Sequence, residues 1–286
     1  MRTIGYMTPE PYRAGELRLD KARWIEGTDY RVAVRIPDLD SAQYEAAAAA
    51  LVRLQVDALV THMPPWVVAL ASATRTIPIV CAVPDPVGLG VARSLGRPGG
   101  NVTGLSGGLR ERSQMTVAIL KTLRPALKQL VSFHPVGAAA PMVNRALASA
   151  AQDAGVTLDF AYVTTVADVE RAFAGFRTPA GTAVTLGGPG HPDEVATAYR
   201  AIARRKGIAA LGGAREGALM DFALRHADAE GRIAAILDKV LRGANPAEIP
   251  FELPDRTVFV LNRATATAIG IRIPPEMLLR ASSVID

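Results

Sequence analysis

Histidine and cysteine are the residue types best suited to hold a metal ion or to exchange protons near neutral pH, and both are scarce in this sequence. The four histidines are His62, His134, His191 and His226. No two of them have the three- or four-residue spacing of paired metal ligands. The single cysteine, Cys81, lies in an apolar run and can form neither an internal disulfide nor a cysteine cluster. We therefore predict no metal centre.

Glycine-rich loops that cradle phosphates are also missing from the places where cofactors need them. A dinucleotide fold requires Gly-x-Gly-x-x-Gly directly after its first strand. Here Met7 is followed by Thr8-Pro9-Glu10-Pro11. The nucleotide pattern Gly-x-x-x-x-Gly-Lys-Ser/Thr does not occur. The sequence therefore predicts no cofactor and no enzymatic activity, and an α/β enzyme with an unfamiliar site is the least favoured hypothesis.

Polar residues follow the predicted strands at the carboxyl edge, where open α/β sheets bind ligands. Thr8 follows the first strand, His62 the third and Asp85 the fourth. The Asp85 carboxylate can hold a ligand amino group through a charge-assisted hydrogen bond. Asp85 before Pro86 is also typical of a helix N-cap with proline at the first position. Both roles stay open, and His62 is either a ligand contact or a surface histidine bonded to backbone.

Glycine pairs after two later strands offer backbone N–H groups to a ligand. One pair begins the loop Gly187-Gly188-Pro189-Gly190, and the other is Gly212-Gly213. Gly188 and Gly213 are therefore candidate contacts, with a plain loop as the alternative. Arg215 can clamp a carboxylate through two hydrogen bonds, or it is a solvated loop arginine.

The elements that would position these residues alternate between short apolar strands and helical patterns along all 286 residues. Two such sets lie on either side of the breaker Gly99-Gly100, and their short connections imply parallel sheets with right-handed crossovers. The sequence thus predicts an α/β protein with two doubly wound, Rossmann-like domains. Strands are predicted at 3–7, 30–36, 58–61, 77–82, 129–133, 157–163, 182–186, 208–211 and 258–261. Helices are predicted at 41–55, 64–73, 87–95, 109–123, 142–154, 166–173, 193–206, 228–242 and 263–269.

Composition argues against two classes of partner. The net charge is +5, but the basic residues are scattered. Their densest run, Arg204 to Lys206, ends a predicted helix, where cations favour the negative end of the helix dipole. We therefore predict no nucleic-acid partner. No stretch approaches the ~20 apolar residues of a membrane helix.

The N-terminus reads as a strand, so we expect no export signal in the sequence as written, which leaves a cytoplasmic location open.

Several segments spread along the chain resemble one protein family. They are TRTIPIVCAVPDPVGLG at 74–90, SLGRPGGNVTGLS at 94–106, LKTLRP at 120–125, ILDKVLRGANP at 236–246 and AIGIRIPP at 268–275. Together they resemble the substrate-binding proteins of ABC transporters, a family with members that bind aromatic amino acids such as tryptophan. The resemblance implies a type I periplasmic-binding-protein-like fold, in which two parallel-sheet lobes joined by a three-crossing hinge close on a ligand. The lobes are expected at 1–105 with 222–250 and at 106–221 with 251–286.

The resemblance also implies a function. The expected role is the solute-binding component of an ABC importer that captures a small, amino-acid-like solute between its lobes. An ABC permease is the expected protein partner if the chain is exported, with only peripheral contact with the membrane. The family implies a periplasmic or other extracytoplasmic location.

This sequence departs from the family pattern at the expected cleft. The loop after the third strand is small and polar in the family and contains His62 and Met63 here. After the second crossing the family favours a small polar residue, where this chain has Asp221, a carboxylate that disfavours a neighbouring ligand carboxylate. A remodelled cleft favours a second hypothesis, an intracellular ligand sensor or interaction protein on the same scaffold. The candidate site comprises Thr8, His62, Met63, Asp85, Gly188, Gly213, Arg215 and Asp221.

Overall fold

A computed structural model describes residues 1–37, 41–135, 141–176, 178–187 and 190–286. Its strands are β1 (Arg2–Met7), β2 (Tyr30–Arg35), β3 (Ala58–Thr61), β4 (Ile79–Val83), β5 (Val102–Ser106), β6 (Gln129–His134), β7 (Thr157–Tyr162), β8 (Thr182–Leu186), β9 (Ala209–Leu211), β10 (Met220–Arg225), β11 (Arg256–Asn262) and β12 (Ser283–Ile285). Its helices are α1 (Ser41–Arg53), α2 (Pro64–Ala73), α3 (Leu109–Leu123), α4 (Pro141–Asp153), α5 (Val166–Ala174), α6 (Asp193–Arg205), α7 (Ala229–Leu241), α8 (Arg263–Ala268) and α9 (Pro275–Arg280). None of the helices in these described ranges combines the length and apolar character that a bilayer span requires.

The chain divides into two compact units, each built from two stretches of sequence. Unit 1 comprises residues 1–108 and 226–255, and unit 2 comprises residues 109–225 and 256–286. The chain therefore passes between units after residues 108, 225 and 255, where the sequence predicted boundaries after 105, 221 and 250.

Unit 1 is a five-stranded parallel sheet in the order β2-β1-β3-β4-β5. All four residues of β3 are buried, as expected for a strand covered on both faces. Successive side chains of a strand point to opposite faces, so Leu59 packs with α1 and α2 while Val60 packs with α7. The side chain of Trp66 in α2 is fully buried, and this burial contributes about 2–3 kcal/mol to the core.

Two local predictions in unit 1 are wrong, and glycine explains both. No strand was predicted at 102–106, a segment that contains Gly104. Gly104 has φ +143°, and a Cβ there would lie 1.8 Å from the Cys81 carbonyl oxygen, so only glycine lets β5 pair with β4. The helix predicted at 87–95 is a series of turns, in which Gly90 adopts φ +74°.

Unit 2 contains a seven-stranded sheet in the order β12-β11-β10-β9-β8-β6-β7. From β7 to β10 the strands are parallel, and β11 joins β10 antiparallel. Helices α3 and α4 bury one face, and α5 and α6 bury the other. The order β7-β6-β8-β9-β10 repeats that of unit 1, with the second strand outermost and the first beside the third. The sequence missed β10, α9 and β12.

Two helix starts follow the local sequence closely. The predicted cap Asn262 begins α8, and its side chain accepts a hydrogen bond from the Thr265 N–H at 2.7 Å. Helix α2 begins at Pro64, where proline needs no hydrogen-bond partner for its nitrogen. These positions depend on neighbours in sequence, which explains why they were predictable.

Candidate functional site

Unit 1 carries a small pocket at the carboxyl edge of its sheet, where β1 and β3 are neighbours. The segment after β1 packs on the α7 face, whereas α2, which follows β3, packs on the opposite face. This divergence opens a crevice between the two strand ends. The pocket has a volume of about 290 Å³. Its polar walls are Tyr6, Glu16, His62 and Glu230, and Leu17 and Ile233 are among its apolar walls.

Both carboxylates of this pocket have partners within unit 1. The Tyr6 hydroxyl donates to Glu16 Oε1 at 3.1 Å, and the Arg13 backbone N–H donates to Glu16 Oε2 at 3.0 Å. Glu230 Oε2 forms an ion pair with Arg18 Nη1 at 2.8 Å. Burial, followed by the charge and hydrogen bond of Glu16, raises the pKa of Tyr6 to about 12, so the phenol remains a donor at neutral pH. Each carboxylate of this pocket therefore has a partner within unit 1, Glu16 through neutral hydrogen bonds and Glu230 through an ion pair.

His62 is the predicted site residue that this pocket contains. Its ring contacts the edge of the Tyr6 ring, with centroids 6.1 Å apart. Loss of water around the imidazole lowers the pKa of His62, against the opposing charges of Glu16 and Glu230. His62 is nonetheless exposed to solvent, and its ring makes no hydrogen bond with another residue in the ranges that the structure describes.

The other predicted residues of unit 1 are engaged locally and do not line this pocket. The buried Thr8 hydroxyl bonds both to the Glu10 carbonyl and to the Glu10 N–H. Met63 is half-buried in the core, and its carbonyl accepts the first N–H groups of α2. Asp85 Oδ1 accepts from the Gly88 N–H at 2.8 Å and so closes a turn, and the helix that it was expected to cap is absent.

Unit 2 carries a larger cavity of about 750 Å³ at the corresponding edge of its sheet. Strands β6 and β8 are neighbours there, as β1 and β3 are in unit 1. The walls include strands β9, β10 and β11 and the first two turns of α3. Much of the lining is apolar, including Leu130, Leu147, Phe222, Val258 and Val260. Such a cavity suits a ligand with an apolar body.

Three arginines line the cavity of unit 2, namely Arg112, Arg215 and Arg225. Arg112 is half-buried in the first turn of α3, and burial lowers the pKa of its guanidinium. Across the described part of the chain, no ion pair or side-chain hydrogen bond engages Arg112. Arg215 and Arg225 are exposed and equally without a partner among the described residues.

Asp221 is the only acid among the described residues that line this cavity, and it is already bound by backbone. The Gly213 N–H donates to Asp221 Oδ1 and the Ala214 N–H to Oδ2, each at 2.8 Å. Gly213 adopts φ +82°, which turns two successive N–H groups towards one anion. Thus the structure brings the predicted residues Gly213, Arg215 and Asp221 together. Gly188 lies outside the described residues.

A buried serine–histidine pair completes the polar wall of the cavity. Ser132 Oγ lies 3.0 Å from His134 Nε2, and Ser132 lines the cavity. Burial and the charge of His191 lower the pKa of His134, which therefore stays neutral at physiological pH. Ser132 is 1% exposed, and its hydroxyl pairs with this imidazole.

Sequence reasoning missed Arg112, Ser132 and Arg225. A signal for Arg112 exists, because it lies three residues after Leu109 and four before Thr116, on the apolar side of α3. A charged residue at such a position is unusual without a partner. The strand β10 was not predicted, so Arg225 had no assigned place.

A model of the ABC transporter substrate binding protein family matches residues 37–285. The chain belongs to this family. The resemblance inferred from sequence segments is therefore confirmed. A tyrosine-binding protein from Clostridioides difficile (strain R20291) is 31% identical over 113 residues, which span 39% of this chain and only 32% of that relative.

Two solved structures align with nearly the whole of this chain. A conserved domain protein from Vibrio cholerae has a TM-score of 0.68 and 24% identity, with 99% of each chain covered. The ABC domain in complex with L-Trp from Streptococcus pneumonia has a TM-score of 0.68 and 20% identity, again with 99% of each chain covered. These similarities confirm the type I periplasmic-binding-protein-like α/β fold.

Residues 104–108 of this family member read Gly-Leu-Ser-Gly-Gly, which matches the spacing of a hydrolase nucleophile elbow. An elbow holds its serine on a strained turn with the hydroxyl exposed. Ser106 instead ends β5 without a positive φ and is 2% exposed. Its hydroxyl oxygen accepts from the Gly108 N–H at 3.2 Å. The match is therefore one of spacing and not of geometry.

Proposed function

We propose that this protein is the solute-binding component of an ABC importer and captures a small, amino-acid-like solute that carries a carboxylate. It binds and releases the solute without making or breaking a bond. An ABC permease is its partner, at the extracytoplasmic face of the membrane. Family membership supports the importer role, and two similar proteins, a tyrosine-binding protein and an ABC domain in complex with L-Trp, support the solute class.

Arg112 is the observation that carries this proposal. A guanidinium that has lost water without gaining a protein partner is costly, and an anionic ligand group relieves that cost. Its planar fork matches a carboxylate with two parallel hydrogen bonds. The apolar walls around Leu130, Leu147 and Val260 then receive the body of the solute.

Asp221 and Ser132 supply the complementary polar contacts. A carboxylate has about four lone-pair sites, and the Gly213 and Ala214 N–H groups occupy two of them. The remaining sites accept from an ammonium group of the solute. Capture of one solute by both units stays a prediction from the sequence.

The test is a thermal-shift panel of amino acids, short peptides and aromatic acids, with each hit confirmed by calorimetry. A solute at 100 times its Kd adds about 2.7 kcal/mol to stability, which raises the Tm by several degrees. We expect a selective hit with a Kd in the micromolar range or below. No hit across the panel contradicts the proposal and favours the sensor or interaction role.

A matched pair of variants then tests the assignment of the carboxylate. Arg112→Gln should weaken binding of the hit about tenfold or more, since it removes a charge-assisted contact. Arg110→Gln is the control, because Arg110 lies exposed on the same helix and outside the cavity lining. Equal affinities for the two variants would place the carboxylate elsewhere.

A further inference from the structure

The cavity of unit 2 holds more positive charge than one carboxylate can balance. Its described lining contains three arginines and one aspartate, a net charge of +2. The Asp221 oxygens face two backbone N–H groups, and neither forms an ion pair with an arginine of the cavity. One ligand carboxylate at Arg112 would therefore leave Arg215 and Arg225 unbalanced.

Strand pairing adds to the positive potential beside Arg225. In the antiparallel pair β10–β11, Arg225 lies directly opposite Arg256. Like charges opposite one another in a sheet are destabilising. Neither arginine has an acidic partner within the described ranges. The carboxylate nearest in sequence, Asp255, is bound to Arg232 and to the Ala227 N–H.

We propose that the preferred solute of this cavity is an organic acid with an apolar body and two separate carboxylates. This inference rests on the proposed function and names its solute class. One carboxylate pairs with Arg112, and the second pairs with Arg225 at the exposed end of β10. The apolar body lies against Val258, Val260 and Leu147.

A neutral amino acid fits this charge pattern less well. Its ammonium group can pair with Asp221, but its net charge is zero, so it does not reduce the net positive charge of the cavity. A second carboxylate opposite the unpartnered Arg225 guanidinium reduces this excess of positive charge instead.

The test is a series of ligands that share one aromatic body and differ in charge. The series is 2-phenylethylamine, L-phenylalanine, 3-phenylpropanoate and benzylsuccinate, with net charges near +1, 0, −1 and −2 at pH 7.5. We expect calorimetry to show affinity rising along this order, with benzylsuccinate about tenfold or more tighter than L-phenylalanine. An aliphatic series built on leucine, 4-methylpentanoate and isobutylsuccinate repeats the comparison with a smaller body.

The variant Arg225→Gln distinguishes the contributions of the two carboxylates to binding. We expect this variant to weaken benzylsuccinate about tenfold and to leave 3-phenylpropanoate within about twofold of the wild type. Arg110→Gln should change neither ligand. The Tm of free Arg225→Gln should match the wild type or exceed it, because the change removes one of two facing arginines, so lost binding would not reflect unfolding.

The possible results separate this inference from the proposed function. If L-phenylalanine binds at least as tightly as benzylsuccinate, or leucine at least as tightly as isobutylsuccinate, the second carboxylate is wrong and the proposed function stands. If neither the two series nor the amino-acid panel binds, both are wrong. Equal loss of both acids in Arg225→Gln overturns the placement of the second carboxylate.

Discussion

The pocket of unit 1 and the cavity of unit 2 occupy the same place in the same strand order, but their charged side chains differ in whether they have protein partners. In unit 1, Glu16 and Glu230 both have protein partners. In unit 2, Arg112, Arg215 and Arg225 have none among the described residues. A carboxylate with protein partners is stabilised within the fold, whereas the half-buried and unpartnered Arg112 gains from an external anion. This difference supports our proposal that unit 2 binds the anionic group of the solute.

The comparison also separates what the fold determines from what the side chains determine. Neighbouring strands with diverging connections provide a crevice in each unit. The residues at those strand ends decide the chemistry of each crevice, and they give opposite signs of charge. A shared topology thus predicts where a ligand binds and not which ligand it is.

The largest effect on stability is expected at Asp221, the acid among the described residues of the unit 2 cavity, whose carboxylate accepts two backbone hydrogen bonds. Asp221→Ala removes the acceptor of the Gly213 and Ala214 N–H groups and should cost about 2–3 kcal/mol. Thermal unfolding of the free protein should then show a Tm lower by roughly 5–10 °C. Asp221→Asn keeps one acceptor oxygen and should lose about half as much. A Tm unchanged in both variants would mean that water replaces the carboxylate.

A smaller effect, of opposite sign in the two units, is expected from neutralising one charge in each. Glu16→Gln keeps one acceptor oxygen for the Tyr6 hydroxyl or the Arg13 N–H and loses the other, so it should lower the free energy of unfolding by about 1 kcal/mol. Arg112→Gln should leave it unchanged or raise it by up to about 1 kcal/mol, because an unpartnered charge disappears. Urea denaturation measures both values.

Glu45→Gln is the control for this pair, since Glu45 is exposed on α1 and outside the pocket of unit 1. If Arg112→Gln destabilises the free protein more than Glu16→Gln does, Arg112 has a structural partner and the contrast between the units disappears.

The smallest effect is a pH dependence that originates at His62 in unit 1. Burial holds the pKa of His62 below its value of about 6.5 in the unfolded chain. The unfolded chain therefore binds more protons below about pH 6.5, and the stability present above that pH declines as the pH falls. The variant His62→Gln should decline less between pH 7 and pH 5 in denaturation experiments. An identical pH profile for the two proteins would show that His62 is fully solvated.

Most of the fold could be predicted because it depends on local pattern. The prolines at Pro64 and Pro65 fix the start of α2, and buried apolar runs identify strands such as β3. The errors arise where contacts between residues distant in sequence determine the local structure. Gly104 looks like a strand breaker, yet the approach of the Cys81 carbonyl requires it. Nothing in the residues around position 104 shows that approach.

The site was less predictable, because a sequence shows charges and not their partners. Asp221 was one of the predicted site residues, but a turn folds Gly213 and Ala214 back onto it. Arg112 was not among the predicted site residues. Its importance lies in the lack of a partner across the described chain, which only tertiary structure can reveal.

The free guanidinium groups of unit 2 also bear on how fast a solute is captured. An unbalanced charge at the mouth of a cavity extends its field into the solvent over about one Debye length, ~8 Å at physiological ionic strength and ~30 Å in dilute buffer. Anionic solutes are attracted towards these positive charges, so their association rate rises as the salt concentration falls. Their dissociation rate depends mainly on short-range contacts. The unpartnered charges that destabilise the empty cavity therefore also accelerate the association of an anionic solute.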